Sequence, residues 1–169
     1  MSTKNSNFFS RDCMVQALIQ LLKTKSLSNI TITELTERAG VSRMTYYSLD
    51  EIFSSYLKDL VESYRQDVAT WPDKGNYNDS RNMLHCYEYF NHYKEFIACL
   101  VQTGLGHLLL QALDSYILDT YYTEDKGRDF YYTLRAFSGS LYNIYVTWIL
   151  EDSKESAEEI VSIIRKIYS

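Results

Sequence analysis

Ser42-Arg43-Met44-Thr45-Tyr46-Tyr47 gathers a guanidinium, two aliphatic hydroxyls and two phenols into six consecutive positions. Donors of this kind suit two sorts of acceptor. An Arg fork pairs with guanine O6 and N7, while hydroxyls and phenols reach phosphate oxygens. Arg43 is therefore the strongest base-reading candidate, with Ser42, Thr45 and Tyr47 as supporting donors. Other reactive side chains converge less well. His85 and Cys86 are adjacent, so on a helix they point about 100° apart, and only His92 can share a face with His85. Two ligands fall short of a structural zinc site, which needs about four. No G-x-S-x-G, H-E-x-x-H or phosphate-loop pattern occurs, so no enzymatic activity, metal or cofactor is expected. Cys13, Cys86 and Cys99 are odd in number and lack CxxC spacing, which argues for buried thiols rather than disulfides.

What must position the polar run is helical. Thr31 stands three residues before Glu34, the spacing of a capping box, and predicts a helix over 32–39. Gly40 supplies the left-handed residue of its C-terminal stop, and Ser42 then caps a third short helix. Met14, Ala17, Leu18, Leu21 and Leu22 mark a preceding helix over about 10–25. Ser48 and Glu51 open a long one that ends before Trp71-Pro72. Beyond the turn-rich "PDKGNYND", helices are expected over 80–91, 94–103, 105–122 and 154–168, with a further long one carrying Phe130, Leu134, Phe137, Leu141, Tyr145 and Trp148 as a stripe. "TEDKGRD" reads as a solvated loop.

Composition agrees with an all-α protein of about nine helices. The chain has 169 residues, one proline and six glycines, with 46% hydrophobic content. Three units are expected: a three-helix head over 1–48, a connecting helix over 49–70, and a helical body over 71–169. Up to Ser48 there are six Lys or Arg against three acids, so a mildly basic head precedes an acidic body within a net charge of -5. The polar N-terminus and the lack of an apolar run of about eighteen residues suggest a cytoplasmic protein without a membrane partner.

Two short helices joined by a tight glycine turn form a helix-turn-helix unit, whose second helix enters the DNA major groove, although capped helix pairs also occur in helical proteins that never touch DNA. The stretch "TITELTERAGVSRMTYY" resembles the DNA-binding segment of the tetracycline-repressor (TetR) family, a likeness that covers about residues 9–64. The resemblance implies a dimeric transcriptional regulator, usually a ligand-responsive repressor, that binds a palindromic double-stranded DNA operator through its head. By position it places Thr31 and Thr33 near the phosphate backbone, Ser42, Arg43, Met44 and Thr45 on the groove-facing part of the recognition helix, and Tyr47 on a phosphate. Tyr46 falls at the family's aromatic core position. One departure stands out: residues that the family places between its tyrosine and the serine capping the next helix are missing, so Tyr47 runs straight into Ser48. That shortening motivates an alternative reading, a TetR-shaped protein-interaction adaptor with impaired DNA binding.

The resemblance also implies a dimer interface on the last two helices, where Tyr142, Tyr145, Trp148, Ile160, Ile164 and Tyr168 suit the role; these aromatics equally suit the monomer core. Nine of the sixteen tyrosines follow Asn91. A cavity lined by Phe90, Tyr93, Phe96, His107, Tyr116 and Tyr132 is expected to suit a flat or cationic small-molecule effector, against the plain alternative of helix packing with each hydroxyl at the surface.

Overall fold

The computed structural model describes residues 3–41 and 48–168, with side chains from residue 9 onward. Among them are eight α-helices and no strand: α1 (Thr3–Leu22), α2 (Ile32–Ala39), α3 (Leu49–Ala69), α4 (Ser80–Asn91), α5 (Lys94–Gln102), α6 (Gly106–Tyr121), α7 (Gly127–Leu150) and α8 (Ala157–Ile167). The architecture is all-α. The helix expected from Ser42 to Tyr47 lies outside the described residues.

Each helix end in the head follows from its local chemistry. Thr31 Oγ1 accepts from the Glu34 backbone N–H at 3.2 Å and caps α2. The Glu34 carboxylate does not close the box but pairs with Lys25 Nζ at 2.5 Å, fastening α2 to the segment after α1. At the other end Gly40 has φ +66°, and the N–H groups of Gly40 and Val41 return to Glu37 and Thr36 at 3.2 and 3.1 Å. That double return is a Schellman stop, which only a residue at ease in the left-handed region closes without strain. Ser48 and Glu51 form a complete reciprocal box at the start of α3, with both bonds at 3.2 Å.

α3 belongs to both halves of the chain. Near its start Ile52, Phe53 and Tyr56 are buried against α1 and α5, and near its end Tyr64 and Val68 are buried in the body. The Tyr56 hydroxyl donates to Asp12 on α1 at 2.7 Å, Arg11 pairs with Asp59, and the Tyr56 ring meets Phe96 of α5 edge-on at 4.8 Å. In the body α6 lies along α7, and the Asp114 carboxylate on α6 binds both Arg135 and the buried Ser138 hydroxyl of α7. Gly106 opens α6 where a Cβ would come within 2.6 Å of the Tyr142 hydroxyl, so glycine sets how closely the two helices meet. α8 packs on α4 through Ile160, Val161 and Ile164, and it starts with a second complete box, Ser156 with Glu159.

Several expected boundaries move. α1 begins at Thr3 rather than near Ser10, and α8 begins at Ala157 because Ser156, not Lys154, supplies the cap. Part of the expected "TEDKGRD" loop is structured, since a single 3-10 turn over Glu124–Lys126 runs into α7. No single helix among the described residues is long and apolar enough to cross a membrane.

Leu60 is fully buried at the middle of α3. Leu60→Ala is expected to lower unfolding free energy by about 2–5 kcal/mol in urea titrations, through lost transfer energy and the cavity left behind. Ser156→Ala is expected to cost only about 1 kcal/mol, the worth of one N-cap. Equal losses for the two would contradict this division between core and cap.

Candidate functional site

Two regions qualify: the end of α2 that leads into the polar run, and a cavity in the body. Thr31 is exposed, and its hydroxyl oxygen is engaged by the Glu34 N–H, which leaves its proton for an outside acceptor. Thr33 is half-buried in the first turn of α2. Ser42, Arg43, Met44, Thr45 and Tyr47, expected on the groove-facing helix, lie outside the described residues, as does Tyr46. What the structure places is their frame. The Schellman stop delivers the chain at Val41, and the Ser48 box receives it at α3. Two cations at α2 are already engaged: Lys25 with Glu34, and Arg38 with Gln20 at 3.2 Å.

The body cavity is small, about 40 Å³, and lies between α3, α4, α6 and α7. Val61, Tyr64, Tyr87, Phe90, Leu113 and Tyr145 are among the residues that enclose it. A second void of about 20 Å³ shares Tyr64, Cys86, Leu113, Tyr116 and Leu141 with it, so these side chains are the partition between the two. The Tyr64 and Tyr116 rings pack edge-on at 5.3 Å, and the Tyr87 hydroxyl donates to the Leu141 carbonyl at 3.1 Å. Tyr145 is 6% exposed, and its hydroxyl has no hydrogen-bond partner among the described residues. Desolvation raises Tyr64, Tyr87 and Tyr145 well above the ordinary phenol value and pushes the Cys86 thiol up to about 12.

Of the expected pocket residues, Phe90 and Tyr116 line the cavity and four do not. Phe96 is buried at the α3–α5 junction, stacked at 5.9 Å on Phe53, because the apolar face of α5 turns toward the head. Tyr93 caps the start of α5 and packs on Tyr89. His107 is exposed beside the Gly104 carbonyl, and Tyr132 is 58% exposed, holding Arg128 against its ring and hydroxyl. Sequence reasoning missed Tyr64, Cys86 and Tyr87 as wall residues. The signal was present in the inward stripe of α3, whose last turns carry Tyr64 into the body.

The expected interface residues divide in the same way. Tyr145, Trp148, Ile160 and Ile164 are buried within the chain itself, and Tyr142 and Tyr168 are half-buried, Tyr168 sharing a hydrogen bond with Ser140 at 2.6 Å. The outer faces of α7 and α8 instead present Leu150, Ile163 and Ile167, at 44%, 47% and 60% exposure. Of the residues weighed as metal ligands, His85 Nε2 lies 2.8 Å from Asp67 and His92 Nδ1 lies 2.7 Å from the Glu88 carbonyl.

No family model matches the chain. It is 27% identical over 157 residues to the "Uncharacterized HTH-type transcriptional regulator YxbF" of Bacillus subtilis (strain 168), a likeness that takes in 86% of this chain but 41% of that protein, so the chain spans well under half the length of that relative. Two solved structures share its fold at a TM-score of 0.59 each. The fatty acid degradation regulator FadR from Bacillus halodurans is 14% identical, with 94% of this chain and 93% of that one covered. A TetR transcriptional regulator from Rhodococcus sp. RHA1 is 16% identical, with 95% and 94% covered.

The raised phenols and thiol set a pH dependence. The folded state favours the neutral form of each, so their contribution is full below the ordinary values, about 8.5 for Cys and about 10 for Tyr, and is lost as pH climbs above them. Stability is expected to hold from about pH 7 to 8.5 and to fall steeply beyond about pH 10. Denaturant titrations with tyrosinate absorbance followed in parallel measure this; a chain as stable at about pH 11 as at about pH 8 would contradict it.

Proposed function

We propose that this chain, whose fold is that of the TetR-type regulators, is a DNA-binding transcriptional regulator that grips a palindromic operator as a dimer and releases it when a small effector enters the body. The observation that carries the reading is the pair of helix ends that flank Ser42–Tyr47. A capped short helix ends in a Schellman stop at Gly40 and is fastened by Lys25 and Glu34 to the segment after α1; beyond Ser42–Tyr47, the Ser48 box opens α3. The fold likeness to regulators and the relative's helix-turn-helix designation support the same reading.

In this account residues 1–48 form the head, with Arg43 reading a base and Thr31, Thr33, Ser42, Thr45 and Tyr47 serving phosphates or base edges, while Met44 meets a groove through apolar contact. A single short groove helix binds weakly, and a two-fold mate reading a second half-site about 34–36 Å away multiplies affinity and specificity. The exposed apolar residues Leu150, Ile163 and Ile167 supply the seam, since the aromatics between them are already used inside the chain. The cavity serves as the effector site, and α3, which lines it through Val61 and Tyr64 and starts directly after the recognition run, links effector to head. An effector shifts the head equilibrium only by its differential affinity for the two states.

Fluorescence anisotropy with DNA fragments selected from a genomic pool tests the reading. Arg43→Ala is expected to cost about 1–3 kcal/mol of specific binding, and affinity is expected to fall steeply with salt. Weak binding that ignores sequence would instead fit the adaptor alternative. Replacing Ile163 and Ile167 together by Glu is expected to yield monomers in sedimentation analysis with operator affinity reduced in step; an unchanged assembly would overturn the proposed seam.

A further inference from the structure

We infer that the body cavity is built for an uncharged, largely apolar small molecule carrying one hydrogen-bonding oxygen, engaged by the Tyr145 hydroxyl, and that Tyr116 is the side chain that moves to admit it. The inference rests on the effector reading above and adds the ligand's polarity and its way in.

The polarity follows from the lining. None of the side chains around the cavity carries a formal charge, so a charged ligand would lose its hydration without a partner. Of the phenols in the wall, Tyr87 is committed, its hydroxyl donating to the Leu141 carbonyl. Tyr145 is buried, and its hydroxyl has no partner among the described residues, a cost that a hydrogen-bonding guest would relieve. Water is a poor guest here, because a buried water needs roughly 2–4 polar partners and the chamber is lined mainly by apolar side chains and aromatic rings.

Entry follows from the partition. The cavity of about 40 Å³ and its neighbour of about 20 Å³ are each too small for a ring-sized molecule, since benzene occupies an apolar cavity of about 150 Å³. They merge only if a shared wall residue moves. Among Tyr64, Cys86, Leu113, Tyr116 and Leu141, the last is buried at the centre of α7 and Tyr64 is 3% exposed on the connecting helix. Tyr116 is half-buried, with the Arg65 guanidinium 5.2 Å from its ring centroid and itself held by Asp119 at 2.8 Å. That cation is a latch on the outer face, and swinging Tyr116 outward joins the two voids while removing a ring that packs on Tyr64 at 5.3 Å.

Phenol, benzene and benzoate serve as probes in calorimetric titrations of the full chain. Tyr116→Ala is expected to raise phenol affinity at least about tenfold over the parent, and the variant is expected to prefer phenol to benzene by about fivefold, the worth of one net hydrogen bond. Adding Tyr145→Phe is expected to erase that preference while benzene binding persists, and benzoate is expected to bind far more weakly than phenol. Leu113→Ala enlarges the same two voids without touching a hydroxyl, and carries the phenol–benzene comparison if Tyr116→Ala does not fold. A preference that survives Tyr145→Phe, benzoate binding as tight as phenol, or no probe binding in either enlarged variant would overturn the inference. Because binding is measured without DNA, a failure of operator binding beside intact probe behaviour would sink only the regulator reading.

Discussion

The Tyr56 side chain is held at both of its ends. Its hydroxyl donates to Asp12 on α1 and its ring meets Phe96 of α5 edge-on, so one residue of α3 touches the first helix of the head and a helix of the body at once. Burial and the neighbouring carboxylate together hold the phenol neutral, which keeps it a donor at any ordinary pH. The Arg11–Asp59 pair lies a turn further along the same α1–α3 contact. With α1 clamped there, α2 has a fixed base, and the direction in which the chain leaves Gly40 is set by the packing rather than by the loop. The placement of any outward-facing side chain after Val41 therefore depends on a junction well away from it.

Much of this architecture was legible in the sequence, and for a common reason. Helix ends are governed by a few residues in direct contact, so Thr31, Gly40, Ser48 and Glu51 announce their elements without knowledge of the rest of the fold. The bounds of α2 and α4 come out as read, and the α7 stripe through Leu134, Phe137, Leu141, Tyr145 and Trp148 is buried as its spacing requires. What sequence could not assign is which partner each buried stripe meets. Phe96, Tyr145 and Trp148 all read as apolar faces, but only the tertiary arrangement decides that Phe96 turns to the head and that Tyr145 and Trp148 turn inward rather than toward a second chain. Periodicity identifies a face; it does not say what covers it.

The unusual number of tyrosines has a structural logic that phenylalanine would not provide. Each buried phenol contributes a ring to the core and must also place a hydroxyl, and the partners found connect elements: Tyr56 joins α3 to α1, Tyr87 joins α4 to α7, and Tyr89 joins α4 to the Leu60 carbonyl of α3. Such bonds restrict how the helices can slide, because a displaced phenol loses its partner in a medium that offers no substitute. They also leave the interior with a sparse, addressed polarity, where an unmatched hydroxyl such as that of Tyr145 stands out.

The two tryptophans occupy very different settings. Trp71 is half-buried at the edge of the core, with the Arg81 guanidinium over its ring at 4.8 Å and His85 beside it at 4.8 Å. Trp148 is buried, its indole N–H fixed on the Glu155 carbonyl and its ring close to those of Tyr87 and Tyr145. The two phenols nearest this indole are themselves part of the chamber wall, so Trp148 stands next to whatever rearranges there.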